Sequence, residues 1–169
     1  MVWSLLVLLP ENVSAQSPEL MQAYRQGQAL DKKGQYKEAI PFYKKALELG
    51  EREFGPHHKT TATLINNLAE LYHNQGRYAD AEPLYKRSLA IREKALGPDH
   101  PDVATSLNNL ALLYSHQGRY AEAELLYKRA LTIHEKALGP DHPDVATGLG
   151  NLAWLYNKQE RLPEALAHI

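Results

Sequence analysis

The chain repeats itself every 42 residues, and that restricts what it can fold into more than any other property. Residues 67–107 laid over residues 109–149 without gaps agree at 32 of 41 positions. The register runs backward through Gly34, Tyr36, Ala39, Tyr43 and Leu47, which recur as Gly76, Tyr78, Ala81, Tyr85 and Leu89 and again as Gly118, Tyr120, Ala123, Tyr127 and Leu131. It runs forward through Leu149, Leu152, Ala153 and Tyr156. A unit of this size has no closed core, so its apolar face must be buried on its neighbours. A length of 169 residues would ordinarily imply one domain around one core. Repetition replaces that core with a stripe running the length of the chain.

Within a unit, Leu107, Leu110, Ala111 and Tyr114 stand at i, i+3, i+4 and i+7, the apolar stripe of an amphipathic helix, here helix A. It is predicted to end near Gln117, because Gly118 suits the left-handed position that closes a helix. Gly34 and Gly76 recur in that place. A second stripe, Ala123, Leu126, Tyr127, Ala130, Leu131 and His134, predicts helix B over residues 120–138, stopped by Gly139-Pro140. Small Ala123 and Ala130 allow helices A and B to approach closely while Tyr120 and Tyr127 fill the wider gaps, which is antiparallel hairpin packing. The linker Gly97-Pro98-Asp99-His100-Pro101, repeated at residues 139–143, joins a helix stop to a first-turn proline, with Asp99 or His100 available as the cap. In the earlier copy, Gly55-Pro56-His57-His58-Lys59, the second proline is missing, so the following helix is expected to start less sharply.

Helix A with Leu, Leu, Ala and Tyr, then Gly, then helix B with Ala, Tyr and Ala, is similar to the tetratricopeptide repeat. The segment Asn-Asn-Leu-Ala-x-Leu-Tyr at residues 66–72 and 108–114, the Gly-Pro-Asp-His-Pro linker and the 42-residue period resemble the kinesin light chain type. Ordinary repeats of this class have about 34 residues, and the surplus goes into a longer helix B and its linker. The resemblance covers Leu20 to the C-terminus. It implies an all-α fold, a right-handed superhelical α-solenoid of stacked antiparallel helix hairpins. Repeat units are expected at about residues 20–61, 62–103 and 104–145, with a partial fourth at 146–169, inside a domain spanning 16–169. Kinesin light chains precede their repeats with a heptad coiled coil; none stands here, so a motor subunit is not expected.

The resemblance also implies a concave groove lined by helix A. Its groove positions fall on Thr63, Asn66, Glu70, His73 and Asn74 in the second unit and on Thr105, Asn108, Leu112, Ser115 and His116 in the third. In the fourth they fall on Thr147, Gly150, Trp154, Asn157 and Lys158. An asparagine offers both donors and an acceptor to an extended peptide backbone, which singles out Asn66 and Asn108. The neighbouring series Asn67, Asn109 and Asn151 is read instead as structural, each amide satisfying a nearby backbone group. Trp154 has two open readings, a partner's anchor or a cover over core. Cations in this groove are confined to Arg25 or Lys32 and Lys158, so a neutral peptide is expected over a strongly acidic one.

Charge and chemistry exclude other classes. Nineteen Lys and Arg against 20 Asp and Glu leave no field for nucleic acid or an anionic membrane. The absence of cysteine removes disulfides, thiolate nucleophiles and thiolate metal sites. His58, His100 and His142 come one per unit, too far apart to converge on one ion, and linker capping explains them better. His57, His58 and His73 form the one local cluster, without metal-ligand spacing. With no phosphate loop, nucleophile elbow or gathered carboxylates, neither an enzyme nor a cofactor is expected. Lys86-Arg87 and Lys128-Arg129 read as a solvated outer face paired with nearby glutamates.

The apolar run at residues 2–9, followed by Val13-Ser14-Ala15, resembles a secretory signal over residues 1–15, too short to span a bilayer. No Lys or Arg precedes it, and a packed or disordered leader is the other reading. Export to the periplasm or the extracellular space follows from the first reading, a cytoplasmic protein from the second. The function expected is a non-catalytic scaffold for a protein or peptide partner, with no membrane span. The rival is a regulatory or sensor repeat domain of a larger enzyme or signalling protein. Self-association through an open C-terminal end is a third reading.

Overall fold

The computed structural model describes residues 17–161; the signal reading of residues 1–15 and the last residues of the fourth repeat lie outside them. The described chain is an all-α repeat solenoid of seven helices: α1 (Pro18–Asp31), α2 (Tyr36–Phe54), α3 (Lys59–Asn74), α4 (Tyr78–Leu96), α5 (Pro101–His116), α6 (Tyr120–Leu138) and α7 (Pro143–Lys158). The odd-numbered helices are helix A of successive repeats and the even-numbered ones helix B. From α3 onward helix A has 16 residues and helix B has 19, so the surplus length does fall in helix B. The described residues divide into two compact units, with the boundary inside α4 between Ile91 and Arg92.

In the first unit α1 packs on α2 and α2 on α3. The ring of Tyr24 meets Tyr43 edge-on, 5.6 Å between centroids. Gly27 stands where later repeats carry Ala69 and Ala111, and a Cβ there would lie 2.7 Å from Tyr43 Cδ2, so the first hairpin closes more tightly than alanine allows. On α3, Ala62 and Ile65 pack with Ile91 of α4 and with half-buried Leu47 and Leu84. Ser88 Oγ donates to the Ala62 carbonyl at 2.8 Å, fastening α4 to α3. In the second unit the stripe runs through Val103, Leu107, Leu110 and Ala111 of α5, Ala123, Tyr127, Ala130 and Ile133 of α6, and Val145, Leu152, Leu155 and Tyr156 of α7, all buried. Pro41 and Pro83 lie inside α2 and α4 at exposed positions. The carbonyl that each proline leaves without its helical donor can therefore turn to water.

Three helix starts share one device. The Thr60, Asp102 and Asp144 amides donate to Nδ1 of His58, His100 and His142 at 3.1, 3.1 and 3.2 Å. An imidazole nitrogen that accepts from an amide carries no proton, so the nearby Asp102 and Asp144 carboxylates, 4.0 and 3.6 Å from the same nitrogens, are not its hydrogen-bond partners. The start of α3 is accordingly as sharp as the others. The weaker start expected from the missing proline is corrected, because the histidine and not the proline supplies the cap.

Helix A closes as predicted. Gly34, Gly76 and Gly118 adopt φ of 72°, 71° and 75°, and the next residue's amide reaches back to a tyrosine carbonyl in the later copies: Arg77 to Tyr72 at 2.9 Å and Arg119 to Tyr114 at 2.8 Å. The fourth copy keeps the turn without the glycine, since Glu160 adopts φ 59° while Arg161 N–H donates to the Tyr156 carbonyl at 2.9 Å. A side chain in this region is strained by its Cβ. Glu160→Gly should therefore stabilise the chain by about 1 kcal/mol in urea unfolding, and Gly118→Ala should destabilise it by a similar amount. Removing the cap with His100→Ala should cost about 1 kcal/mol, and His100→Asp should retain most of that in the same assay.

Candidate functional site

The expected groove residues lie on the A helices, and the two units present them differently. On α3, Thr63 turns its hydroxyl back to the Lys59 carbonyl at 3.3 Å, and Asn66 is 0% exposed. His73 is buried with its ring edge-on to Tyr78 and Tyr85, centroids 5.5 and 6.2 Å away. Glu70 is half-buried, and Asn74 is exposed. Burial pushes the Tyr24 hydroxyl up to about 12, partly opposed by hydrogen bonds with Gln28 and Asn67, and the Glu70 charge adds to the rise. Tyr43 and Tyr85 are raised for the same first reason, again with Glu70 contributing. Glu70 therefore acts on a buried tyrosine cluster. Asn67 Nδ2 donates to the Tyr24 hydroxyl at 2.9 Å. The regular asparagine series is thus structural at this copy, tying α3 to α1 through a side chain instead of a backbone group.

In the second unit the corresponding face is more open. Thr105 and Thr147 donate to the Pro101 and Pro143 carbonyls at 3.3 and 3.0 Å, and Ser115 donates to the Ala111 carbonyl at 2.9 Å. These hydroxyls are satisfied within their own helices, so they contribute shape more than hydrogen bonds. Asn108 and Leu112 are half-buried, and the Asn108 Oδ1 is itself buried, with no hydrogen-bond partner among the described residues. Trp154 is 38% exposed. His116 meets its ring edge-on with centroids 6.3 Å apart, and Lys158 Nζ stands 5.6 Å from its centroid. Desolvation lowers the His116 pKa below the ordinary histidine value, which keeps the ring neutral at neutral pH. One turn before Trp154, Gly150 opens the surface: nothing lies within 4 Å of where its Cβ would be. Asn66 and Asn108 occupy that place in the earlier copies. Asn157 is exposed. The structure thus brings Trp154, His116 and Lys158 together, and it withdraws Thr63, Asn66, His73 and Ser115 from the surface.

The outer face is a lattice of charge. Lys86 pairs with Glu82 and Arg87 with Glu51 in the first unit, at 2.7 and 2.6 Å, and Arg129 pairs with Glu93 in the second at 2.7 Å. Arg77, Arg119 and Arg161 cover the rings of Tyr72, Tyr114 and Tyr156 at 4.4, 3.7 and 4.6 Å. No three metal-ligating side chains stand together among the described residues. His58 is instead stacked on Phe54, centroids 5.3 Å apart. No described helix is long and apolar enough to cross a membrane.

A model of the tetratricopeptide repeat matches residues 19–93, 60–136 and 115–169, three overlapping spans that cover nearly the whole chain. The chain belongs to the tetratricopeptide-repeat family. Among solved structures it is similar to BtubC (BKLC) from P. vanneervenii, with 25% identity and a TM-score of 0.80 over 89% of this chain and 60% of that one. It is also similar to nearly identical TPR-like repeats of kinesin light chain type from Podosopora anserina, with 24% identity and a TM-score of 0.79 over 90% of this chain and 72% of that one. The apo form of RapI matches at 20% identity with a TM-score of 0.77 over 89% of this chain and 53% of its own. No curated protein matches the sequence. The chain spans 60% of the BtubC chain. Its repeats share the fold of these kinesin light chain-like repeats, and tetratricopeptide-repeat domains generally bind protein partners.

Sequence reasoning missed the cluster around Glu124, half-buried on α6. Lys128 Nζ and the Tyr156 hydroxyl donate to its Oε1 at 2.7 and 3.1 Å, and Arg161 donates to Oε2 at 2.6 Å. Burial alone would raise this carboxyl, but the three hydrogen bonds outweigh it and hold the pKa below the ordinary value. A lowered folded pKa stabilises the protein above the usual carboxylate range, and the stabilisation is lost as pH falls through the lowered value. Glu124→Gln should therefore cost about 1.5 kcal/mol at pH 7 in urea unfolding. The gap between variant and wild type should narrow as pH drops below 4.5, the value from which the carboxyl is lowered.

Proposed function

We propose that this tetratricopeptide-repeat domain is a non-catalytic scaffold that holds an extended peptide segment of a partner protein against the concave faces of its A helices. The observation that carries the reading is the face of α5 and α7, where exposed Trp154 is flanked by His116 and Lys158 beside the open surface at Gly150. An aromatic side chain with one face accessible and a shallow opening beside it is the arrangement from which interface anchors are made. Asn108 is half-buried on the same face and offers it only part of its amide, since the carbonyl oxygen is itself buried. Leu112 adds half-buried apolar surface next to it.

The second helix-A face contributes less contact in this reading. Asn66 is fully buried and Thr63 nearly so, which leaves Asn74 and part of Glu70 accessible among the expected groove positions of α3. Specificity then belongs to the position where the copies differ most, Glu70, Leu112 and Trp154 in register. Affinity at such a face comes from backbone hydrogen bonds together with shallow apolar contact.

Capture of partners on immobilised full chain, followed by quantitative mass spectrometry, tests the reading. The Asn108→Ala, Trp154→Ala variant should recover specific partners at least about tenfold less well than wild type. Lys44→Ala, on the exposed face of α2, should leave recovery unchanged. Equal recovery of every partner by the double variant would remove this face from the function.

A further inference from the structure

One position in the seam between each helix B and the next helix A breaks the repeat in a correlated way. Gly50, Arg92 and His134 are 42 residues apart on α2, α4 and α6, and Leu64, Ser106 and Gly148 are 42 apart on α3, α5 and α7. At the first seam the helix B residue has no side chain, and Leu64 fills its place: a Cβ on Gly50 would lie 2.4 Å from Leu64 Cδ1. At the second seam the volume comes from the other side. Arg92, only 2% exposed, reaches across so that Nη1 donates to Ser106 Oγ at 2.8 Å and to the Asp102 carbonyl at 3.1 Å. At the third, His134 is 3% exposed, and the helix A position in register is a glycine, where even a Cβ would stand 3.3 Å from Leu131 Cδ1. Large meets small at the first two seams by different chemistry, and at the third Gly148 lies against Leu131 while His134 is buried one turn further along α6.

We propose that these three pairs are a register key that makes each hairpin accept only its own successor. The rest of the repeat cannot do this, because the second and third copies share 32 of 41 residues over residues 67–107 and 109–149. Nearly degenerate dockings invite misassembly in repeat chains unless some contact rejects them. The key rejects every exchange that involves Gly50, Leu64 or Arg92. Arg92 or His134 docked against Leu64 would overlap it, since a single Cβ already collides there. Arg92 docked against Gly148 would bury a guanidinium that has lost its Ser106 acceptor, and removing a hydrogen-bond partner from a buried charged donor is costly. Gly50 docked against Ser106 or Gly148 would leave a void where Leu64 belongs.

The test makes two seams carry the same key in the full chain. Arg92→Gly and Ser106→Leu together install the first seam's pair at the second, and Gly50→Arg with Leu64→Ser does the reverse, so that one series remains if the other fails to fold. Each single substitution should lower the urea midpoint, and the double variant should recover at least about half of the summed loss, the signature of a coupled pair. A purely structural pair would stop there. A register key predicts in addition that the recovered double variant, unfolded in urea and refolded, forms a second species absent from wild type. Size-exclusion chromatography and the appearance of an extra slow refolding phase would reveal it. Independent single effects in the double variant would overturn the proposal, and so would a recovered double variant that refolds to one species.

Discussion

The constraint on which the rest of the structure depends is the close approach of helix A to helix B within each hairpin. A buried tyrosine of helix B, Tyr43, Tyr85 or Tyr127, fills the hairpin, each at most 1% exposed. The helix A position in register with Gly27 is always small: Gly27, Ala69, Ala111 and Ala153. Where the residue is glycine, the ring comes so near that a methyl group would overlap it. Only small residues let the backbones approach to this distance, and dense packing in such interiors makes the choice sensitive to a single carbon. Which residues of each helix face its partner, and which are left at the surface, follows from that spacing.

Around this core, polar groups do the fastening. Each is a side chain whose hydrogen bond joins two helices: Ser88 to the backbone of α3, Asn67 to Tyr24, Arg92 to Ser106 and Asp102, and the Glu124 carboxylate to Tyr156 and Arg161. Buried polar groups of this kind are favourable only when their partners are in place. They add directional preference to an apolar stripe that, in a chain of near-identical units, would fit in more than one register. Arg92 carries this furthest. Its burial lowers the guanidinium pKa, an effect the nearby Asp102 charge partly offsets, and a neighbour other than Ser106 would remove one of its acceptors.

Much of this was legible before any coordinates. The glycines at 34, 76 and 118, the alanine and tyrosine spacing and the Gly-Pro-Asp-His-Pro linker place the helix ends to within about a residue, because each reflects a local rule of backbone geometry. The histidine caps were legible as one of two options at each linker. What local rules could not show was exposure on the helix-A faces. Asn66 and Asn108 share a register and a residue type, yet one is fully buried and the other half-open, and Trp154 stands at the surface where Glu70 is half-buried among tyrosines. The Arg92–Ser106 pair was present in the sequence as two of the nine mismatches between the second and third copies. Its meaning depends on knowing that the two positions face each other.

The sequence by itself determined the repeat, the class of fold, the helix ends and the hairpin packing, because all of these follow from short-range periodicity and from what glycine, proline and capping side chains do to the backbone. It also determined which positions differ between copies. Only the tertiary structure decided which of those differences are exposed, which are paired and which are silent. Exposure and pairing are set by the neighbouring helix, ten or more residues away in the chain, and no residue carries in its own identity the shape of the surface it will meet. Glu160 shows the same division: the sequence replaced a glycine there, and the fold held the turn regardless.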